Sequence, residues 1–116
     1  MDKPGRSRVL RFWEAHRSIP GPQGEHAAQI LKRGPLDVAL SIPRHPTQQT
    51  PPHVQDEIYF IIRGRALFFT TASRTEVGSG DLVFVAAGAE HQFENYSEDF
   101  AVGGVFYGPD GGELPA

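Results

Sequence analysis

Between Ala27 and Tyr107 the chain divides into short apolar runs of period two, separated by turn residues. Segments 27–33, 36–42, 53–63, 65–72, 81–86, 90–95 and 99–107 are rich in β-branched and aromatic residues and predict strands at the spacing of a sandwich or barrel. No long stretch repeats apolar residues at i, i+3 and i+4 between breakers, so helix is expected only over 8–17. Pro20, Gly21, Pro22 and Gly24 close the N-terminal stretch, and residues 1–24 read as an arm anchored by Phe12 and Trp13. The barrel is expected over 25–112, with 113–116 as a tail. The 13 glycines and 10 prolines lie between the apolar runs instead of forming one tract, which suits an all-β chain with many turns.

The run around Pro52 to Arg63 carries the chemistry. His53, Gln55, Glu57 and Tyr59 have one parity, so on a strand they share a face. Ile58, Phe60 and Ile62 occupy the other parity, and a strand apolar on that side is expected to be buried on both. A carboxylate set into such a strand needs a partner. A divalent cation is an efficient one: imidazole and carboxylate together suit iron, manganese, nickel or zinc, and two histidines with one carboxylate leave positions open for a substrate. Downstream, the turn Ala86–Ala89 leads into Glu90-His91-Gln92-Phe93 and puts His91 at a strand start as the third candidate ligand. Tyr59 and Phe93 follow Glu57 and His91 by two residues, so they are expected to face the same interior and to line a pocket or fill the core.

These positions resemble the cupin family. Gly80, Gly88, His91 and Asn95 fall where the second cupin motif has its glycines, histidine and asparagine, with Ala86 in place of the motif's proline. His53, Glu57 and Gly64 match the second half of the first motif. Its first half departs: His45 stands at the leading glycine and Pro51 at the first histidine, so one of the family's usual ligands is missing. Gln55, through its amide oxygen or a metal-bound water, or His45 from the preceding loop, is the candidate replacement. The resemblance covers about residues 36 to 107. It implies a double-stranded β-helix, the jelly-roll barrel, with a divalent metal ion among inward-facing side chains. Gly64 and Asn95 read as turn residues.

Composition narrows the functional classes. Eleven basic residues against fourteen acidic ones give a net charge of −3, which offers no field for nucleic acid. Lys3, Arg6, Arg8, Arg11 and Arg17 share the arm with Asp2 and Glu14, so no basic patch is expected. The absence of cysteine excludes disulfides, thiolate ligands and cysteine nucleophiles. Neither a membrane span nor a signal peptide is written in the sequence, and a cytoplasmic location is the expectation.

Taken singly, His53 or His91 is more often a hydrogen-bonded structural histidine than a ligand, and Glu57 beside Asp56 reads as one of a solvated acidic pair. Their joint placement in the two motifs that resemble the cupin family favours ligation. Two functions stay open. One is a metal-dependent enzyme on a small organic molecule, a dioxygenase, lyase, cyclase or isomerase, with Glu57 as ligand and, if displaced, catalytic base. The other is a barrel that binds or senses a small molecule without turning it over. A homodimer is expected, because one of Phe68 and Phe69 must point outward and needs cover.

Overall fold

Backbone pairing turns the apolar runs into two antiparallel sheets. The computed structural model describes residues 6–44 and 52–114. A one-turn helix α1 (Phe12–Ala15) and a 3-10 turn over His16–Ser18 precede β1 (Ala27–Arg33), β2 (Leu36–Ser41), β3 (Asp56–Arg63), β4 (Arg65–Thr70), β5 (Arg74–Gly78), β6 (Leu82–Val85), β7 (His91–Glu94) and β8 (Ala101–Tyr107). The large sheet has the order β1-β2-β8-β3-β6 and the small one β5-β4-β7. The fold is all-β, a double-stranded β-helix in which, among the described residues, the chain passes between sheets four times, at Gly64, over 79–81, at the Ala86–Glu90 turn and over 95–100.

Gly64 is the single residue joining β3 to β4, and it has φ +81°. A Cβ there would lie 2.8 Å from Phe100 Cα, so both backbone conformation and space require glycine.

Between the sheets Ile61, Ala66, Phe68, Val77, Val83, Val85, Phe100 and Val102 form the main core, with Tyr59, Phe93 and Tyr96 packed against it. Burying a side chain of this size stabilises the fold by about 1.5–3 kcal/mol. A second cluster lies on the outer face of the large sheet, where Phe12, Ala15 and Ile19 cover Leu40, Ile42 and Ala101. Gly103 makes room for it: a Cβ at this position would stand 2.7 Å from Phe12 Cζ.

Several expectations change. The helix is shorter than 8–17, because Arg11 provides no side-chain cap and Ile19, before Pro20, is extended. β3 begins at Asp56 instead of residue 53: the chain bends at Val54 and Gln55, and the carbonyls of His53 and Val54 accept the N–H groups of Gly88 and Gly111 instead of a ladder partner. β5 was not expected, since in Arg74-Thr75-Glu76-Val77-Gly78 only Val77 is buried and an edge strand of that kind has a weak apolar signal. The outer face of β3 is covered only in part. Ile62 lies under the N-terminal segment, whereas Phe60 (38% exposed) sits beside Leu82 (65%) and Phe84 (59%) in solvent. Phe68 points inward, and the outward ring of Phe69 is capped by the Arg74 guanidinium at 4.6 Å, itself held by Glu94 at 2.9 Å. That ring thus has its cover within the chain.

No helix among the described residues is long and apolar enough to cross a membrane.

Candidate metal site

Glu57 and His91 come from opposite sheets and meet inside the barrel, while His53 enters from the bend before β3. Glu57 pairs with Val85 on one side and Phe106 on the other, points inward and is 3% exposed. His91 opens β7 opposite Thr70 and is 4% exposed. His53 Nε2 stands 3.1 Å from Glu57 Oε1, and His91 Nε2 stands 3.9 Å from the same oxygen. One donor atom from each residue falls within 4.8 Å of the others. Donors around a common ion at about 2.1 Å sit about 3–4 Å apart, so small side-chain rotations bring this set to coordination distance.

Both imidazoles are oriented by their own loops. His53 Nδ1 lies 2.7 Å from the Gln55 carbonyl, and His91 Nδ1 lies 3.0 Å from the Ala89 carbonyl. A carbonyl only accepts, so each Nδ1 carries the proton and each Nε2 presents a lone pair inward. His53 Nε2 and Glu57 Oε1 are buried without a hydrogen-bond partner. With Glu57 ionised, two lone-pair donors face each other unpaired at 3.1 Å, and either a shared proton or a cation between them relieves that cost. The donor set therefore fits a divalent metal ion.

Electrostatics agree with a site that is uncomfortable without charge compensation. Burial pushes the Glu57 carboxyl up to about 7, against the opposing effect of the Tyr59 hydroxyl. Burial also lowers His91, partly countered by the Ala89 carbonyl, and holds the Tyr59 phenol protonated well above its usual range. The Tyr59 hydroxyl donates to His91 Nε2 at 3.1 Å.

Aromatic rings surround the three donors. Phe106 meets His53 edge-on at 4.8 Å between centroids, Tyr59 packs edge-on against Phe93 at 5.0 Å, and Phe68 lies 5.2 Å from Phe93. Tyr59 and Phe93 thus face the interior expected for them, where they also belong to the core.

Comparisons with known proteins give the family and the fold. The family model described as Cupin domain matches residues 41–103. This chain belongs to the cupin family. It is 37% identical over 83 residues to the uncharacterized protein SCO3923 of Streptomyces coelicolor, covering 71% of this chain and 79% of that one. Among solved structures, a protein of unknown function from Rhizobium leguminosarum superposes with a TM-score of 0.69 at 19% identity, covering 88% of this cupin and 97% of that chain. The DMSP lyase DddQ of Ruegeria pomeroyi superposes with a TM-score of 0.62 at 21% identity, over 86% of this cupin and 56% of that chain. At such identities the structural likeness concerns the fold.

Of the ligands expected for this cupin, the structure brings His53, Glu57 and His91 together. Gln55 takes a different position: its Nε2 donates to the carbonyls of Pro35 at 2.6 Å and Gly108 at 3.0 Å, tying the ends of β2 and β8 to the bend. The shared face inferred for residues 53 and 55 fails because neither is in the strand. His45 and Pro51 lie outside the described residues.

Three neighbours of the site went unrecognised in the sequence. Phe106 is one. Gly104, opposite Tyr59, is another: a Cβ there would lie 2.8 Å from Glu57 Oε2, and a glycine pair inside a strand was a legible sign of close approach. The third is Asp56. Beside Glu57 it read as half of a solvated acidic pair, yet it is 5% exposed and points the other way. The backbone N–H groups of Glu113 and Ala87 hold its carboxyl below the usual range.

Proposed function

We propose that this cupin holds one divalent transition metal ion, iron, manganese, nickel or zinc, through His53, Glu57 and His91, and acts on a small organic molecule. The observation that carries this reading is the pair of buried, unpartnered donors, His53 Nε2 and Glu57 Oε1, with His91 Nε2 beside them. Three protein ligands leave coordination positions open, and the ion would supply Lewis-acid polarisation or oxygen activation to a molecule bound there. Tyr59, Phe93 and Phe106 would wall the molecule with apolar surface and keep water out. Glu57 turns Oε1 toward the two Nε2 atoms and Oε2 toward Gly104; it would serve as a ligand and, if displaced from the ion, as the base.

The test is metal content by mass spectrometry on protein purified without an affinity tag, comparing wild type with His53→Ala, Glu57→Gln and His91→Ala. About one equivalent in wild type, lost in all three variants, supports the site. A folded wild type that stays empty after dialysis against iron, manganese, nickel and zinc overturns it and leaves a barrel that binds a small molecule without metal. The metal found directs the next assay, oxygen uptake for iron and lyase or isomerase chemistry for the others.

A further inference from the structure

The Asp56 carboxylate joins three segments that are distant in sequence. Oδ1 accepts the Ala87 N–H at 2.9 Å and Oδ2 accepts the Glu113 N–H at 2.9 Å. Its backbone neighbours extend the junction: the Gly88 N–H donates to the His53 carbonyl at 2.7 Å, and the Gly111 N–H donates to the Val54 carbonyl at 2.7 Å. The Ala86–Ala89 turn, whose end orients His91 through the Ala89 carbonyl, is thereby fixed to the bend that carries His53. Gly112 completes the arrangement, with φ +86° and a position where a Cβ would come 2.7 Å from Asp56 Oδ1 and 3.3 Å from Ala87 Cβ.

Resting on the metal-site reading above, we propose that Asp56 is a positioning residue, clasping the Gly111–Glu113 segment and the Ala86–Ala89 turn to the foot of β3 and so setting His53 and His91 at the separation a metal ion requires. His53 precedes β3 and β7 lies in the other sheet, so among the described residues the one backbone bond from Gly88 to the His53 carbonyl at 2.7 Å is a single point of attachment, and Asp56 adds the second and third. Asp56 points away from the donors, so its effect on them passes through the two loops. A buried carboxylate with a backbone N–H on each oxygen is a rigid two-point tie; groups bonded directly to ligating histidines change metal affinity by about 10–100-fold when removed, and a tie one step further out is expected at the lower end of that range.

Two full-length variants cut the clasp from opposite sides. Asp56→Asn keeps one acceptor and sets an amide N–H against the other backbone donor, and Gly112→Ala forces the C-terminal segment off Asp56 without touching β3. Cobalt(II) affinity is measured by competition with a chromophoric chelator, and hydrogen exchange of the metal-free protein is followed by mass spectrometry. Each variant is expected to weaken cobalt binding about tenfold or more, and each to raise exchange in residues 86–92 as well as 111–114. Arg74→Ala, which loosens the small sheet away from the clasp, is expected to leave the affinity within about twofold of wild type. Unchanged affinity in both clasp variants, exchange confined to 111–114, or an equal loss in Arg74→Ala overturns the proposal. A wild type that binds no cobalt sinks the metal reading instead, and the exchange result alone then decides whether the clasp holds the two loops.

Discussion

The Glu57 carboxylate occupies the volume that a side chain on Gly104 would take, 2.8 Å from Oε2 to the position of a Cβ. Gly104→Ala therefore sets a methyl group against the end of a flexible side chain, which can swing aside at little cost in stability but not without leaving its place between the two histidines. Metal affinity is expected to fall by more than tenfold while stability changes by about 1 kcal/mol or less. Chelator competition and thermal unfolding of the same sample check both halves, and an unchanged affinity would show that Oε2 is free to move.

Proton release is expected to accompany metal binding. Glu57 is raised from 4.5 to about 7, so the folded state holds its proton more tightly than the unfolded state. The penalty for ionising it is absent below the unfolded value and develops as pH rises from about 4.5 through 7, reaching about 3 kcal/mol as an order of magnitude. His91, lowered by burial, works in the opposite sense and loses stability as pH falls below 6.5. The difference between wild type and Glu57→Gln in the metal-free form isolates the first effect. The variant is expected to gain on wild type across that window, measured by urea unfolding at several pH values. Metal requires the carboxylate ionised, so affinity in wild type is expected to climb with pH over the same interval.

Trp13 is the single tryptophan and reports on the docked N-terminal segment. Its ring lies under the Arg63 guanidinium at 4.6 Å, and Phe12 beside it fills the space above Gly103. Gly103→Ala is expected to lift α1 from the sheet, shift Trp13 emission to the red and cost about 1–3 kcal/mol. Emission unchanged from wild type would mean that Phe12 adjusts by rotating its ring.

Phe100 is fully buried between the sheets and packs against Phe93 at 5.2 Å. Phe100→Ala is expected to cost about 3–5 kcal/mol, a large part of the roughly 5–15 kcal/mol that stabilises an ordinary domain. Arg74→Ala, on an exposed ion pair with Glu94, is expected to cost less than about 1 kcal/mol. Chemical denaturation of the two variants orders them, and a comparable loss from Arg74 would mean that its cover of Phe69 matters more than the ion pair.

Much of this was legible in the chain. Apolar residues at period two between glycine and proline turns can bury their faces only as strands, which is why seven of the strands were expected near their observed places and the all-β class followed. His53, Glu57 and His91 were legible as candidates because imidazole and carboxylate are the donors left once cysteine is absent, and the resemblance of their positions to the cupin motifs favoured ligation over a structural role. β5 escaped because an exposed edge strand needs little apolar sequence, and its pairing with β4 is a long-range property. Gln55 was placed on the ligand face by a parity that holds only inside a strand.

The sequence by itself determined the periodicity, the turns and a short set of candidate donors, since these depend on local sterics and on the chemistry of side chains. Only the tertiary structure decided which atoms meet. It brought His91 from the small sheet and His53 from a bend onto one oxygen of Glu57, sent the adjacent Asp56 carboxylate to the opposite side, and gave the space above Gly104 to Glu57. Those outcomes depend on closing the sheets over one another, and the distances across that closure are set by the packing of the whole barrel.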